Sequence, residues 1–442
     1  MPFWSLPMML QAVAAPPGDF QAVVAPPRDL APLLRPIAAE GGLPALGAVI
    51  VTAAGIEAIG ATGVRSRGSR SRVTVADRWH LGSCTKAVTA LVAARLIDRG
   101  VLTWETTLGD VFGRTTPGMD SAWRSVSLLL LLSHRSGAAL NFDDALWEET
   151  VRAGGTPVRQ RQALMAQALR SAPPSLPNTV TRYSNAGVIM AGAMLEAVTG
   201  LAWEDLVRRE VFQPLGMAHS GFGAPGRRGA VEQPLGHTRK GSGWSPVPVG
   251  PGADNPPVAG PTGTVHTTLA DWARFAAAHL RGRRGDGSYL SAQGWRRLQE
   301  AGGVDWQYAP GWVVGRAPWA TGPVLRHLGS NQFWVAEATI ALDDDVAFLI
   351  VTNAADDSVE APFKAALAAL TANHAAHRAG PAPTKPRAAG VRRLESIGGP
   401  REPADRTAPL RHQPLGREPP DPDAAVDVGG VDVTLVRLGP PG

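Results

Sequence analysis

The strongest constraint on the fold is where the apolar residues change their period. Residues 46–52 and 56–61 are strand-like runs separated by Ala53-Ala54-Gly55, which reads as a hairpin. From residue 83 to 99 the apolar positions recur at helical spacing, and Gly100 ends the run. Helical segments dominate from 120 to 215, and a short helix is predicted over 30–39. Strand-like runs return at 312–315, 335–342 and 346–352, the last two across the turn Asp343-Asp344-Asp345, and a helix is predicted over 359–372. The resulting order is strands, a helical block, then strands and a closing helix. It predicts an α+β fold: an antiparallel β-sheet flanked by helices, with a mainly helical inserted region.

Three segments follow from composition. Residues 1–29 are an apolar leader and a Pro-rich linker, in which 11–20 and 21–30 form a near-duplicate decapeptide pair. The apolar stretch 3–15 with its Ala12-Val13-Ala14 triplet resembles a signal segment, although no Lys or Arg precedes it, so export to the periplasm or medium is the expectation, with a cytoplasmic location as the alternative. Residues 30–373 form the body. Residues 374–442 are rich in Pro, Gly and Arg with little apolar periodicity, and read as a disordered tail in which 431–438 could form one strand.

Charge and composition exclude several functions. The single cysteine, Cys84, permits no intrachain disulfide, and no apolar run is long enough for a membrane span. No H-E-x-x-H or C-x-x-C spacing is present, and His374 and His377 at a helix end are read as dipole partners rather than ligands, so no metal site is expected. The Arg clusters at 65–72 and 281–284 are broken by Gly and Ser and carry no interleaved aromatics, so they read as solvated loops and not as a nucleic-acid surface.

Arginine supplies 39 of the 43 basic residues. Against that bias, the lysine of Gly82-Ser83-Cys84-Thr85-Lys86 stands out, in the only S-x-x-K of the chain. Positions i and i+3 share a helix face, so Ser83 and Lys86 point the same way. A serine hydroxyl needs an adjacent base to become a nucleophile, and a desolvated lysine can be that base where arginine, permanently protonated, cannot. Taken alone, the pair is equally a capping serine and a surface lysine. A second motif, Tyr183-Ser184-Asn185, precedes a predicted helix; its phenol can shuttle a proton and its amide can orient a base, or it is simply a capped helix start. A third, His327-Leu328-Gly329 followed by Ser330, lies just before or on a strand, where Gly329 would let a substrate approach the backbone; His327 taken singly reads as a buried structural histidine.

S-x-x-K, Y-x-N and H-x-G in this order resemble the serine β-lactamase-like superfamily, in the branch of class C β-lactamases, D-alanyl-D-alanine carboxypeptidases, D-aminopeptidases and carboxylesterases. Residues 78–81, 126–137, 212–217, 259–275, 308–312 and 351–353 add to the resemblance, which covers 30–373. It implies that Ser83 attacks a carbonyl, that Lys86 and Tyr183 share general acid and base duty, that Asn185 positions Lys86 and the substrate, and that His327 fills the place of the third-motif cation. It also implies an oxyanion hole from the backbone N–H groups of Ser83 and Ser330, and neither a cofactor nor a metal.

The third motif departs from the usual Lys-Thr-Gly or His-Thr-Gly. A neutral His327, and a Leu328 without the threonine hydroxyl, should weaken recognition of carboxylate-bearing penicillins, which favours esters or simple amides. The alternatives are a penicillin-recognising β-lactamase or D,D-peptidase, and a non-catalytic binding member of the family. The implied partner is a small-molecule ester, amide or β-lactam; oligomeric state is not legible.

Overall fold

The computed structural model describes residues 26–302 and 307–379. Thirteen strands occur among them: β1 (Arg28–Asp29), β2 (Ala45–Thr52), β3 (Gly55–Gly63), β4 (Arg78–His80), β5 (Gly221–Phe222), β6 (Gly236–Lys240), β7 (Gly243–Val247), β8 (Val265–Thr268), β9 (Tyr308–Ala309), β10 (Trp312–Gly315), β11 (Val324–Ser330), β12 (Val335–Ala341) and β13 (Val346–Thr352). Eight form the main sheet in the order β1-β3-β2-β13-β12-β11-β10-β9, antiparallel except for the two-residue pairing of β1 with β3. The early hairpin therefore meets the late strands through β2 and β13, with Val351 opposite Gly47 and Ala347 opposite Val51.

Both faces of the central strands are buried, which explains their continuous apolar runs. Leu46, Ala48 and Ile50 of β2, with Val346, Phe348 and Ile350 of β13, join a core completed by Leu34 of the helix Ala31–Glu40 and by Phe363, Ala366 and Leu370 of the closing helix Glu360–Ala379. The alternate residues Val49, Val51, Leu349 and Val351 face a second, larger core with Leu91 of the helix Thr85–Asp98 and Phe275 of the helix Leu269–Arg283. Full burial of each large aliphatic or aromatic side chain contributes about 1.5–3 kcal/mol.

The helical region packs around the helix Asn185–Thr199, buried from Asn185 through Glu196. Ser184 caps its start by accepting the Gly187 N–H at 2.8 Å. A Cβ at Gly192 would collide with the ring of Pro261, so only glycine lets the segment 260–263 lie against this helix. Buried Arg161 holds the same region. It pairs with both oxygens of Glu196 at 3.0 and 2.6 Å, reaches Glu204 at 3.1 Å, and donates to the Pro257 carbonyl at 3.0 Å.

The α+β reading of the sequence stands, and two local expectations change. The helix expected from Ser83 begins as a 3₁₀ turn over Gly82–Cys84, and the α-helix runs Thr85–Asp98. The closing helix continues to Ala379, past the expected end, and His374 in it hydrogen-bonds Glu57 at 2.8 Å. The segment 220–262, for which the sequence predicts no strand, contains the hairpin β6–β7. The third motif lies on β11 itself, one of the two placements expected for it. The Arg clusters are largely tied down: Arg65 forks onto Asp77 at 2.9 and 2.6 Å, Arg283 meets Asp343 at 2.8 Å, and Arg284 meets Asp345 at 2.7 Å. Among the described residues no single helix is long and apolar enough to cross a membrane. The leader and the possible strand at 431–438 lie outside the described residues.

Candidate active site

The site forms where the turn before the nucleophile helix meets the end of β11. Gly82 has φ +50°, a backbone conformation that suits glycine, and a Cβ there would strike Gly329 and Ser330. A Cβ on Gly329 would lie 2.7 Å from the Ser83 nitrogen. The two glycines thus let the backbones of 82–83 and 329–330 touch, which brings the amides of Ser83 and Ser330 to the same place. Buried Cys84 reinforces the junction, its thiol donating to the His327 carbonyl at 3.3 Å. Burial pushes that thiol far above its usual range, so it is no rival nucleophile.

Ser83 is half-buried and Lys86 is fully buried. Lys86 Nζ lies 3.0 Å from Ser83 Oγ and 3.0 Å from the Thr262 carbonyl oxygen. Desolvation holds Lys86 well below the ordinary lysine range. A neutral amine keeps a lone pair, so Nζ can donate to Thr262 and still accept from Ser83.

Tyr183 covers the lysine, its ring centroid 4.8 Å from Nζ, and its hydroxyl hydrogen-bonds the Ser83 side chain. Burial raises this phenol well above the usual tyrosine range, with the Ser83 hydrogen bond opposing, so it stays protonated at neutral pH. Asn185 does not hydrogen-bond Lys86. Its Oδ1 accepts from the Thr262 hydroxyl at 2.9 Å, and its Nδ2 donates to Asn141 Oδ1 at 2.9 Å. Its hold on Lys86 therefore passes through Thr262, whose own carbonyl accepts a hydrogen bond from Nζ.

His327 is buried, and both ring nitrogens are engaged. Nδ1 lies 2.8 Å from the Leu328 carbonyl, which can only accept, so Nδ1 carries the hydrogen. Nε2 then accepts from the Tyr308 hydroxyl at 2.8 Å. Burial, with the nearby Lys86, lowers His327 to about 3 against its hydrogen bond to Leu328. Burial also raises Tyr308 well above its usual range, which keeps it a donor. His134 packs between the Tyr183 and Tyr308 rings, at centroid distances of 4.5 and 4.3 Å, and accepts the Ser184 N–H at 3.2 Å. Leu328 points to the other face of the sheet and packs on the core beneath the closing helix. Its missing hydroxyl is therefore not missing from the face that carries His327.

The structure thus brings Ser83, Lys86, Tyr183, His327, Gly329 and Ser330 together, with Asn185 one residue removed. Sequence reasoning missed Thr262, Asn141 and Tyr308 as site components. Tyr308 carried a signal as one of only three tyrosines; Thr262 and Asn141 carried none, since their contacts join segments far apart in the chain. A shallow recess opens beside Asn185, lined by Asn141, Phe142, Asp144, Trp147, Ala186 and Ile189.

The chain is similar to several known proteins. Penicillin-binding protein 4 of Amycolatopsis lactamdurans is 31% identical over 301 residues, covering 66% of this chain and 76% of that protein. The lovastatin esterase of Penicillium rubens is 26% identical over 177 residues, covering 37% of this chain and 44% of the esterase. Among solved structures, D-amino acid amidase from Ochrobactrum anthropi superposes with a TM-score of 0.61 at 18% identity, covering 78% of this chain and 98% of the amidase. A class C β-lactamase from Rhodobacter sphaeroides gives 0.61 at 19% identity, covering 78% and 99%. These structural likenesses bear on the fold. The Beta-lactamase family model matches residues 30–373, nearly all of the described body, and the chain belongs to that family of serine hydrolases.

Proposed function

We propose that the protein hydrolyses small-molecule esters or simple amides through an acyl-enzyme on Ser83. The observation that carries this reading is a desolvated lysine 3.0 Å from a half-buried serine hydroxyl. Neutral Lys86 takes the Ser83 proton as Oγ forms its bond to the substrate carbonyl carbon. The charge that develops on the carbonyl oxygen is held by the N–H groups of Ser83 and Ser330. Tyr183, protonated and hydrogen-bonded to Ser83, gives its proton to the leaving group as the carbon–heteroatom bond breaks, and regains one from Lys86. Water then enters, the same groups run in reverse, and the acid is released with Ser83 restored. Asn185 and Thr262 hold Lys86 toward Ser83.

The neutral state of His327 supports the preference for substrates without a carboxylate. Its nitrogens are occupied by Tyr308 and the Leu328 carbonyl, so the third motif offers neither a cation nor a spare donor. A second reading, a penicillin-recognising enzyme, is favoured by the likeness to penicillin-binding protein 4. Steady-state turnover of a short-chain p-nitrophenyl ester and a chromogenic cephalosporin, by wild type and Ser83→Ala, separates them. Ester turnover that vanishes in the variant, with little cephalosporin turnover, upholds the esterase reading. Faster cephalosporin turnover transfers the lead to the second, and equal inactivity of both proteins sinks the acyl-enzyme.

A further inference from the structure

We infer that Asp254 and His80 are positioning residues that fix the gap between the two halves of the oxyanion hole. The inference rests on the proposed role of the Ser83 and Ser330 amides. His80 is fully buried at the end of β4, three residues before the nucleophile. Its Nδ1 accepts the Gly82 N–H at 3.0 Å, the amide immediately before that of Ser83. That fixes the tautomer: Nε2 carries the hydrogen. Both oxygens of Asp254 lie within 3.0 Å of Nε2 and receive it.

The same carboxylate has a second branch. Asp254 Oδ1 accepts from Asn331 Nδ2 at 2.8 Å, and Asn331 follows Ser330 directly. One side chain thus holds the residue before Ser83, through an imidazole, and the residue after Ser330, through an amide. The hub is itself anchored: Asp254 Oδ1 accepts the Asn255 N–H at 2.7 Å, and Asn255 Nδ2 donates to the Gly263 carbonyl at 2.8 Å, next to Thr262. Three chain segments far apart in sequence are tied by one carboxylate.

The physical reason to build this is the steepness of oxyanion stabilisation with distance. Donors act only when they sit about 2.7–3.1 Å from where the charge develops, and a misplacement of about 1 Å can cost 10²-fold. Stability alone gives no such reason, because a buried His–Asp pair is often replaceable by apolar residues at no loss.

Two substitutions divide the imidazole between its nitrogens. In His80→Asn the amide oxygen stands near the Nδ1 position and can still accept from Gly82. In His80→Gln the amide nitrogen stands near Nε2 and can still donate to Asp254, but nothing accepts from Gly82. The experiment measures kcat and KM on the p-nitrophenyl ester, the rate of Ser83 labelling by a fluorophosphonate located by mass spectrometry, and the thermal midpoint. The expected result is a kcat and labelling rate lowered about 10²-fold in His80→Gln, within about tenfold of wild type in His80→Asn, and KM within about threefold in both. Asp254→Ala, which releases both branches, should lose at least as much as His80→Gln. Equal rates in the two His80 variants, no loss in either, or losses that follow the thermal midpoint rather than the retained acceptor would overturn the inference. Absence of Ser83 labelling in the wild-type protein would instead overturn the nucleophile assignment beneath it.

Discussion

The Tyr308 hydroxyl donates to Nε2 of His327 at 2.8 Å, and this bond occupies a ring that burial and the nearby Lys86 already hold neutral. Tyr308→Phe removes the donor but not the desolvation, so the ring stays neutral. The expected outcome is a cephalosporin-to-ester ratio of kcat/KM within about threefold of wild type across pH 5–8. A ratio that rises about tenfold as pH falls from 8 to 5 would show that the tyrosine, and not burial, keeps the third motif from acting as a cation.

The lysine makes a separate prediction about pH. Catalysis needs Lys86 deprotonated, and desolvation lowers its folded-state pKa. The rate on the acidic side should therefore rise with pH through that lowered pKa and be level well before the pH at which an ordinary lysine titrates. Lys86→Arg keeps a cation but no base, and should lose at least about 10³-fold in kcat, as should Lys86→Met. A Lys86→Arg enzyme within tenfold of wild type would exclude the lysine as base.

Asn185 acts on the lysine through the Thr262 hydroxyl. Asn185→Ala strands that hydroxyl and removes the donor to Asn141 Oδ1, and should lower kcat about tenfold to a hundredfold, far less than Ser83→Ala. Thr262→Val keeps the carbonyl that holds Nζ, and should cost less than Asn185→Ala. The reverse order in steady-state kinetics would place Asn185 outside the positioning of Lys86.

Acid should unfold this protein through its histidines. Burial lowers His279 to about 3, and lowers His237 and His266 to about 4, each from an ordinary 6.5. The unfolded chain binds protons first, so stability is complete above about pH 6.5 and is lost as pH falls toward 4 and 3. His279 lies among Phe275, Trp295 and Trp312, with centroids 5.1, 5.0 and 5.2 Å away. His279→Leu should therefore flatten the dependence of the thermal midpoint on pH between 6.5 and 4. A slope identical to wild type would remove His279 from the account.

Much of the architecture was legible because periodicity is local. Continuous apolar runs marked β2 and β13, and Gly100, with φ +70°, ended the nucleophile helix where expected. The hairpin β6–β7 was not legible: its residues Gly236, Lys240, Gly243 and Pro246 are poor strand formers, and their pairing with one another decides the matter. β11 was blurred for a related reason. Arg326 and Gly329 interrupt its apolar pattern, and it is a strand because β12 pairs with it from Val324 to Ser330.

The sequence by itself determined the pairing of Ser83 with Lys86, because two residues three positions apart along a helical turn need no tertiary contact to meet. It also determined that the third motif carries a histidine rather than a lysine. The tertiary structure decided the state of each group. Lys86 is depressed because the fold buries it against Thr262, His327 is occupied because Tyr308 arrives on another strand, and Leu328 faces away because the strand pleat alternates its side chains. Residue identity is written locally, whereas desolvation and hydrogen-bond partners are supplied by distant segments, as Lys86 and Thr262 show across 176 positions.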